Sequence, residues 1–482
     1  MSIPATVPDT AAADLGLSSA SLFRFATAGS VDDGKSTLVG RLLHDSKAIL
    51  ADQLDAVART SADRGFGGSG ATDPRGKQRI DLALLTDGLR AEREQGITID
   101  VAYRYFATDR RSFILADCPG HVQYTKNTVT GASTADAVVV LIDARKGVLE
   151  QTRRHLSVLQ LLRVAHVIVA VNKIDLVDFS EEVFRAIEAD VQRVGRELGL
   201  GSDAVSDLRV IPVSALDGDN VVDRSDRTPW YQGPALLEVL ETLPAADELE
   251  SHLESFRFPV QLVIRPQGAL APDAVAAGLD AGQYRDYRAY AGQITEGSVK
   301  VGDKVSVLTP GQAPRTTTVT GIGFAGRELT EAVAPQSVAL RLAEEFDVAR
   351  GDTIAAAGPA GGKIPESTAD LYAALCWLSP KPLREGAKVL VKHGTRTVQA
   401  LVRNISGKLD LATFKLEGAS TLELNDIGHA QLRLAAPLPL ENYLHHRRTG
   451  AFLVIDPQDG NTLAAGLVKD HPGDHEDERY AI

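Results

Sequence analysis

Cysteine is almost missing from the 482-residue chain: only Cys118 and Cys376 are present, far apart. Two distant thiols give neither a disulfide framework nor a metal-ligand spacing, and they are consistent with a reducing compartment. No run approaches the ~20 apolar residues that a membrane-spanning helix needs. Residues 1–20 lack a basic stretch followed by an apolar one, so they read as a flexible leader rather than a secretion signal, and a cytoplasmic location is expected. Positive charge is in deficit, with 51 basic against 64 acidic residues and a net charge of −13. That balance repels a polyphosphate backbone on average and argues against a nucleic-acid partner. The acidic, His-rich residues 470–482 show no metal-ligand pattern and read as a solvated tail.

Hydrophobic residues make up 44% and charged residues 24% of the chain, a globular composition. Its length suggests about three domains at roughly 150 residues each. Residues 21–247 alternate short apolar runs with amphipathic stretches, the pattern of a parallel-type sheet with helices on both faces. Strands are expected at Leu22–Ala28, Ser112–Ala116, Ala137–Ile142, His166–Val171 and Leu208–Val213, with a Gly-rich surface loop over 61–76 and a closing helix near Pro234. From Phe256 onward, Val/Ile/Leu/Thr runs alternate with turns around Gly297, Gly302 and Asp303, which predicts antiparallel β-barrels over 256–358 and 366–469. Expected strands include Pro259–Ile264, Lys304–Leu308, Arg315–Ile322, Lys392–Asn404, His429–Leu434 and Ala451–Ile455. The fold class is thus an α/β domain with a parallel-type sheet and helices on both faces, followed by two antiparallel β-barrel domains.

Gly29-Ser30-Val31-Asp32-Asp33-Gly34-Lys35-Ser36, followed by Thr37, fits G-x-x-x-x-G-K-[ST] between an apolar strand and a helical segment. Its backbone N–H groups suit phosphates, Lys35 supplies a point charge, and Ser36 offers a hydroxyl to Mg²⁺. Asp117 ends an apolar strand, where its carboxylate suits the same ion, and Gly120 suits the γ-phosphate. His121 follows directly and is read as orienting or polarising the attacking water. Asn172-Lys173-Ile174-Asp175 selects guanine, because in P-loop GTPases the Asp carboxylate of this sequence accepts from the N1–H and 2-amino donors, an arrangement that adenine does not offer. Ser214-Ala215-Leu216 fits the loop whose backbone reads the guanine O6. The nucleotide is therefore GTP. Trp230 and Tyr231 are expected to cover that loop or pack a domain edge, and Arg447–Phe452 to form a packed turn more readily than a partner surface.

The order of these motifs resembles the translation-factor class of GTPases. Ala91-Glu92-Arg93-Glu94-Gln95-Gly96-Ile97-Thr98-Ile99-Asp100 is similar to its first switch, which implies that Thr98 ligates Mg²⁺ and senses the γ-phosphate. Asp32 stands where relatives carry an Asp able to hold a monovalent cation. Within the class, the chain resembles the GTPase large subunits of bacterial ATP sulfurylase over almost its whole length. The stretches that carry this include Gly29–Leu38, Asp87–Leu89, Tyr103–Phe106, Leu141–Val148, Gly218–Val222 and Pro229–Pro234. Cys118 and Thr128 depart from the usual residues without removing a phosphate or metal ligand. The resemblance implies that GTP hydrolysis here drives adenylyl sulfate formation on a partner small subunit that binds ATP and sulfate, with a separate kinase making the 3′-phosphorylated product. A tRNA-delivering, elongation-factor-like GTPase is the alternative.

Overall fold

A computed structural model describes residues 22–46, 61, 81–82, 101–120, 125–200, 207–246, 255–267, 271–276, 278, 280–357, 364–410 and 413–470. The chain divides into two units, Met1–Ala245 and Ala246–Ile482.

The first unit is built on β1 (Leu22–Gly29), α1 (Lys35–Asp45), β2 (Ala102–Ala107), β3 (Ser112–Asp117), α2 (Thr125–Ser133), β4 (Ala137–Asp143), α3 (Glu150–Leu161), β5 (His166–Asn172), α4 (Glu181–Leu198), β6 (Asp207–Pro212) and α5 (Leu236–Thr242). The strands form one sheet in the order β2-β3-β1-β4-β5-β6. From β3 to β6 all pairings are parallel. Every residue of β4 and β5 is buried, as expected for parallel strands covered on both faces. One core joins Phe23, Phe25, Leu115, Leu141 and Ala170 of the sheet to Leu38 and Leu42 of α1 and Leu236 and Leu240 of α5. The sheet departs from expectation at one edge. Ala102–Ala107 forms an additional strand, antiparallel to β3, with Tyr103 and Tyr105 exposed. An edge strand faces solvent on alternate positions, so it shows no continuous apolar run.

In the second unit, Lys304–Leu308, Thr353–Ala356, Arg257–Ile264, Ala289–Gln293, Ser337–Leu342 and Arg315–Phe324 pair in that order, all antiparallel. The ring closes between Arg315–Phe324 and Lys304–Leu308. A second ring runs through Lys388–His393, Ala451–Ile455, Thr462–Lys469, Ser367–Trp377, Ile427–Pro439 and Arg396–Leu409, and closes on itself in the same way. Closure leaves neither barrel with a free long edge. Lys392–Asn404 is not one strand. A two-residue turn at Gly394 and Thr395 breaks it into a hairpin in which His393 faces Arg396. Gly394 has φ 51°, the positive value such a tight hairpin turn requires.

A buried charge cluster joins the two barrels. Arg257, 1% exposed, donates from Nε and Nη2 to both carboxylate oxygens of Glu441 at 2.8–3.2 Å. Beside it, Glu296 Oε2 lies 2.7 Å from His446 Nδ1, and Glu296 Oε1 accepts from the Thr449 hydroxyl at 3.0 Å. Thr449 belongs to the expected packed turn over Arg447–Phe452. The Glu296 hydrogen bond raises the His446 pKa, partly offset by burial and by Arg257, with Glu441 adding to the rise. A raised folded-state pKa gives stability that is fully present below the ordinary His value of about 6.5 and is lost as pH rises through the folded value. Thermal melts of the full chain should therefore show a greater loss of stability from pH 6 to 8 in the native protein than in His446→Gln. Equal losses would remove the His446 contribution.

Candidate nucleotide site

The motif residues converge at the carboxyl ends of adjacent strands. Register places Thr27 of β1 beside Asp117 of β3, Gly29 beside Leu141, and Asp143 of β4 beside Asn172 of β5. Loops leaving these ends form the crevice in which open parallel sheets hold ligands.

Gly29 leaves β1 with φ 146°, and a Cβ there would lie 2.9 Å from the Leu141 carbonyl oxygen. Gly34 caps α1 at φ 90°, and a Cβ there would lie 2.4 Å from Asn172 Nδ2. Both positions therefore require glycine. Between them, Asp33 accepts from the Ser30 N–H at 2.7 Å and braces the loop across its neck. Burial raises the Asp33 pKa, while Ser30 and Lys35 oppose the rise. Lys35 is 7% exposed, and its ammonium donates to the carbonyls of Gly29 (2.8 Å) and Ser30 (2.7 Å). Burial lowers its pKa, with Asp117 and Asp33 pulling the other way. Gly120 packs against the same group, since a Cβ there would lie 2.2 Å from Lys35 Nζ.

Thr27, which sequence reasoning passes over, donates to Asp117 Oδ1 at 2.7 Å and fixes that carboxylate. Cys118 is fully buried, and burial pushes its thiol pKa well up, so it packs rather than reacts. Gly131 leaves it room, because a Cβ there would lie 2.4 Å from its sulfur. Beneath the loop, His155 of α3 lies 3.2 Å from Gln151 Nε2 and bonds the Gly29 backbone. Burial, aided by Lys35, pushes it down to about 3, so it is neutral.

At the other end, Asn172 works in two directions. Its Nδ2 donates to the Asp33 carbonyl at 2.7 Å, and its Oδ1 accepts from the Ala215 N–H at 2.9 Å. Lys173 donates to the Asp32 carbonyl and pairs with Asp143 at 3.0 Å. Arg145 also pairs with Asp143, at 2.6 Å, and these cations outweigh burial to hold the Asp143 carboxyl far below the usual range. Asp175 lies half-buried in the 3₁₀ turn Ile174–Val177. The loop of Ser214, Ala215 and Leu216 is pinned by Gly218 N to Ser214 O (2.7 Å) and by Asp217 N to Ser214 Oγ (3.2 Å). Trp230 donates to the Phe179 carbonyl at 3.1 Å and packs on Phe184. It holds the start of α4, in keeping with a packing role. Gly29–Thr37, Asp117, Gly120, Asn172, Lys173, Asp175 and Ser214–Leu216 are thus gathered at the carboxyl end of the sheet. Thr98 and His121 lie outside the described residues, as do most of the 61–76 loop, the leader and the residues after Asp470.

Residues 20–250 match the family model for the elongation factor Tu GTP binding domain. Residues 370–469 match that for the GTP-eEF1A C-terminal domain-like family. The bifunctional enzyme CysN/CysC of Mycobacterium tuberculosis (strain CDC 1551 / Oshkosh) is 46% identical over 93% of this chain and 67% of its own length. Sulfate adenylyltransferase subunit 1 of Cellvibrio japonicus is 44% identical over 93% of this chain and 86% of its own length. The protein of the same name from Teredinibacter turnerae is 45% identical, over 93% and 87%. With an elongation-factor-type GTP-binding domain and this identity over nine-tenths of its length, the chain belongs to the sulfate adenylyltransferase subunit 1 family.

Proposed function

We propose that this chain is the GTP-hydrolysing subunit of an ATP sulfurylase, acting with a small subunit that binds ATP and sulfate in sulfate assimilation. The observation that carries the reading is the double hydrogen bond of Asn172, which makes the phosphate loop and the Ser214–Leu216 loop parts of one site. That site is built for a guanine nucleotide, and the relatives' names supply the reaction it serves.

In this reading the backbone N–H groups of residues 29–37 and the Lys35 ammonium hold the phosphates. Asp175 accepts from the guanine N1 and N2 groups, and the backbone of Ser214–Leu216 donates to O6. Ser36 and Asp117 offer a hydroxyl and a carboxylate, the hard oxygen donors that magnesium takes, and Thr27 keeps the carboxylate in place. Thr98 is the third expected ligand. A bound Mg²⁺ neutralises charge on the β- and γ-phosphates. His121 orients the water that attacks the γ-phosphorus, giving GDP and inorganic phosphate. The small subunit transfers the adenylyl group of ATP to sulfate, giving adenylyl sulfate and pyrophosphate. Coupling requires that the partner prefer one arrangement of the segments around Thr98 and His121, so that hydrolysis biases its equilibrium. The chain carries one P-loop, committed to guanine, so ATP belongs to the partner. Among the described residues no helix is long and apolar enough to cross a membrane, and we assign the complex to the cytoplasm.

The test is adenylyl sulfate formation by the chain plus its small subunit, with ATP and sulfate, with and without GTP. Product should exceed the ATP-only equilibrium in step with GTP consumed. GTP consumption with no change in product, or an unchanged adenylation rate with a non-hydrolysable analogue, would sink the coupling and turn attention to tRNA binding.

A further inference from the structure

Arg41 lies on α1, the helix that begins with the phosphate-binding Lys35, yet its side chain reaches the opposite end of the site. It is 6% exposed. Its Nε donates to the Ala215 carbonyl at 3.2 Å, and its Nη2 donates to the Leu216 carbonyl. Its Nη1 lies 3.6 Å from Asp45 Oδ1, one helical turn on. A guanidinium has only donors and does not lose its proton, so a buried one needs acceptors fixed around it. Here two successive carbonyls and a carboxylate supply them.

The consequence for the loop is geometric. In a trans peptide the C=O and the following N–H point in opposite directions. Drawing the Ala215 carbonyl toward Arg41 therefore turns the Leu216 N–H away from α1. The Ala215 N–H is already fixed on Asn172, which also holds the Asp33 carbonyl of the phosphate loop. Ala215 is thus held on one side by Asn172 and on the other by Arg41.

We propose that Arg41 is a positioning residue for base recognition: it sets the pose of the Ala215–Leu216 peptides from α1, so that the phosphate-holding helix and the O6-reading loop form one rigid body. The inference rests on reading this site as a GTP site. Arg41 acts through the loop carbonyls, which with Asp45 take its donors.

GTP and ITP separate this role from a merely structural one. Inosine keeps the O6 acceptor but lacks the 2-amino group assigned to Asp175. In the full chain, Arg41→Met should weaken GTP and ITP by the same factor, about tenfold or more, the scale of one charge-assisted hydrogen bond. The GTP:ITP ratio should stay as in the native chain, whereas Asp175→Asn should collapse it. Arg41→Lys, which keeps the charge but offers no fork to paired carbonyls, should fall between native and Arg41→Met, and it decides the matter if the methionine variant does not fold. GTP affinity within twofold of native in Arg41→Met, or in Arg41→Lys where the methionine variant does not fold, with only the melting temperature lowered, would overturn the role, as would a loss confined to GTP. A native chain that binds neither nucleotide would instead refute the GTP reading itself.

Discussion

Lys35→Met should abolish most GTP turnover, lowering single-turnover hydrolysis by on the order of 10³-fold and weakening GTP binding in parallel. Lys35 is the sole cation between Gly29 and Thr37. Its ammonium is held by the Gly29 and Ser30 carbonyls, and the side chain is buried. Methionine keeps the length and the apolar stem but removes the charge. Nucleotide phosphates would then enter a site where Asp33 and Asp117, both 2% exposed, repel them without that counter-charge. Removing one partner of a buried charge pair costs about 3–5 kcal/mol, or roughly 10²–10⁴ in affinity or rate. Calorimetric titration with GDP and a hydrolysis time course make the measurement, with a melting curve to show the variant is folded. Hydrolysis within threefold of native would mean that the backbone and the metal carry the phosphate charge unaided.

What could be read from the sequence was what is local in it. The central strands were legible because parallel strands buried on both faces read as unbroken apolar runs, as Ala137–Ile142 and His166–Val171 do. Strand β2 escaped because Tyr103-Arg104-Tyr105 alternates between exposed and half-buried positions and depends on its pairing with β3. The hairpin inside Lys392–Asn404 was hidden for a related reason: the apolar alternation resumes directly after Gly394 and Thr395, so only the glycine marks the turn. The same division runs through the site. The phosphate loop and Asn172–Asp175 are contiguous motifs whose chemistry is legible residue by residue. Thr27 acts on Asp117 across 90 positions and Arg41 on Ala215 across 174, and no spacing rule predicts such pairs. Asn172 shows both sides: its motif gave its place, but its two hydrogen bonds, to Asp33 and to Ala215, appear only once the sheet brings the loops after β1, β5 and β6 together at its carboxyl end.

The same long-range logic makes the barrel junction the second place of large effect. Arg257 and Glu441 are 184 positions apart, and both are at most 9% exposed. Arg257→Met fills a similar volume but leaves the carboxylates of Glu441 and Glu296 buried together, with His446 in contact with both. Breaking one side of such a pair should cost about 3–5 kcal/mol, against at most about 1 kcal/mol for a solvated surface pair. At roughly 2–4 °C per kcal/mol for a unit of this size, the barrel transition should fall by on the order of 10 °C. The double variant Arg257→Met with Glu441→Gln should recover part of that loss, because it removes the stranded charge as well as its partner. The pH profile gives an independent reading. Arg257 opposes protonation of His446, so its removal lets the imidazole hold its proton to higher pH, and the loss of stability should move to more alkaline conditions. A fall of only one or two degrees with an unshifted profile would show that the cluster contributes no more than a surface ion pair does.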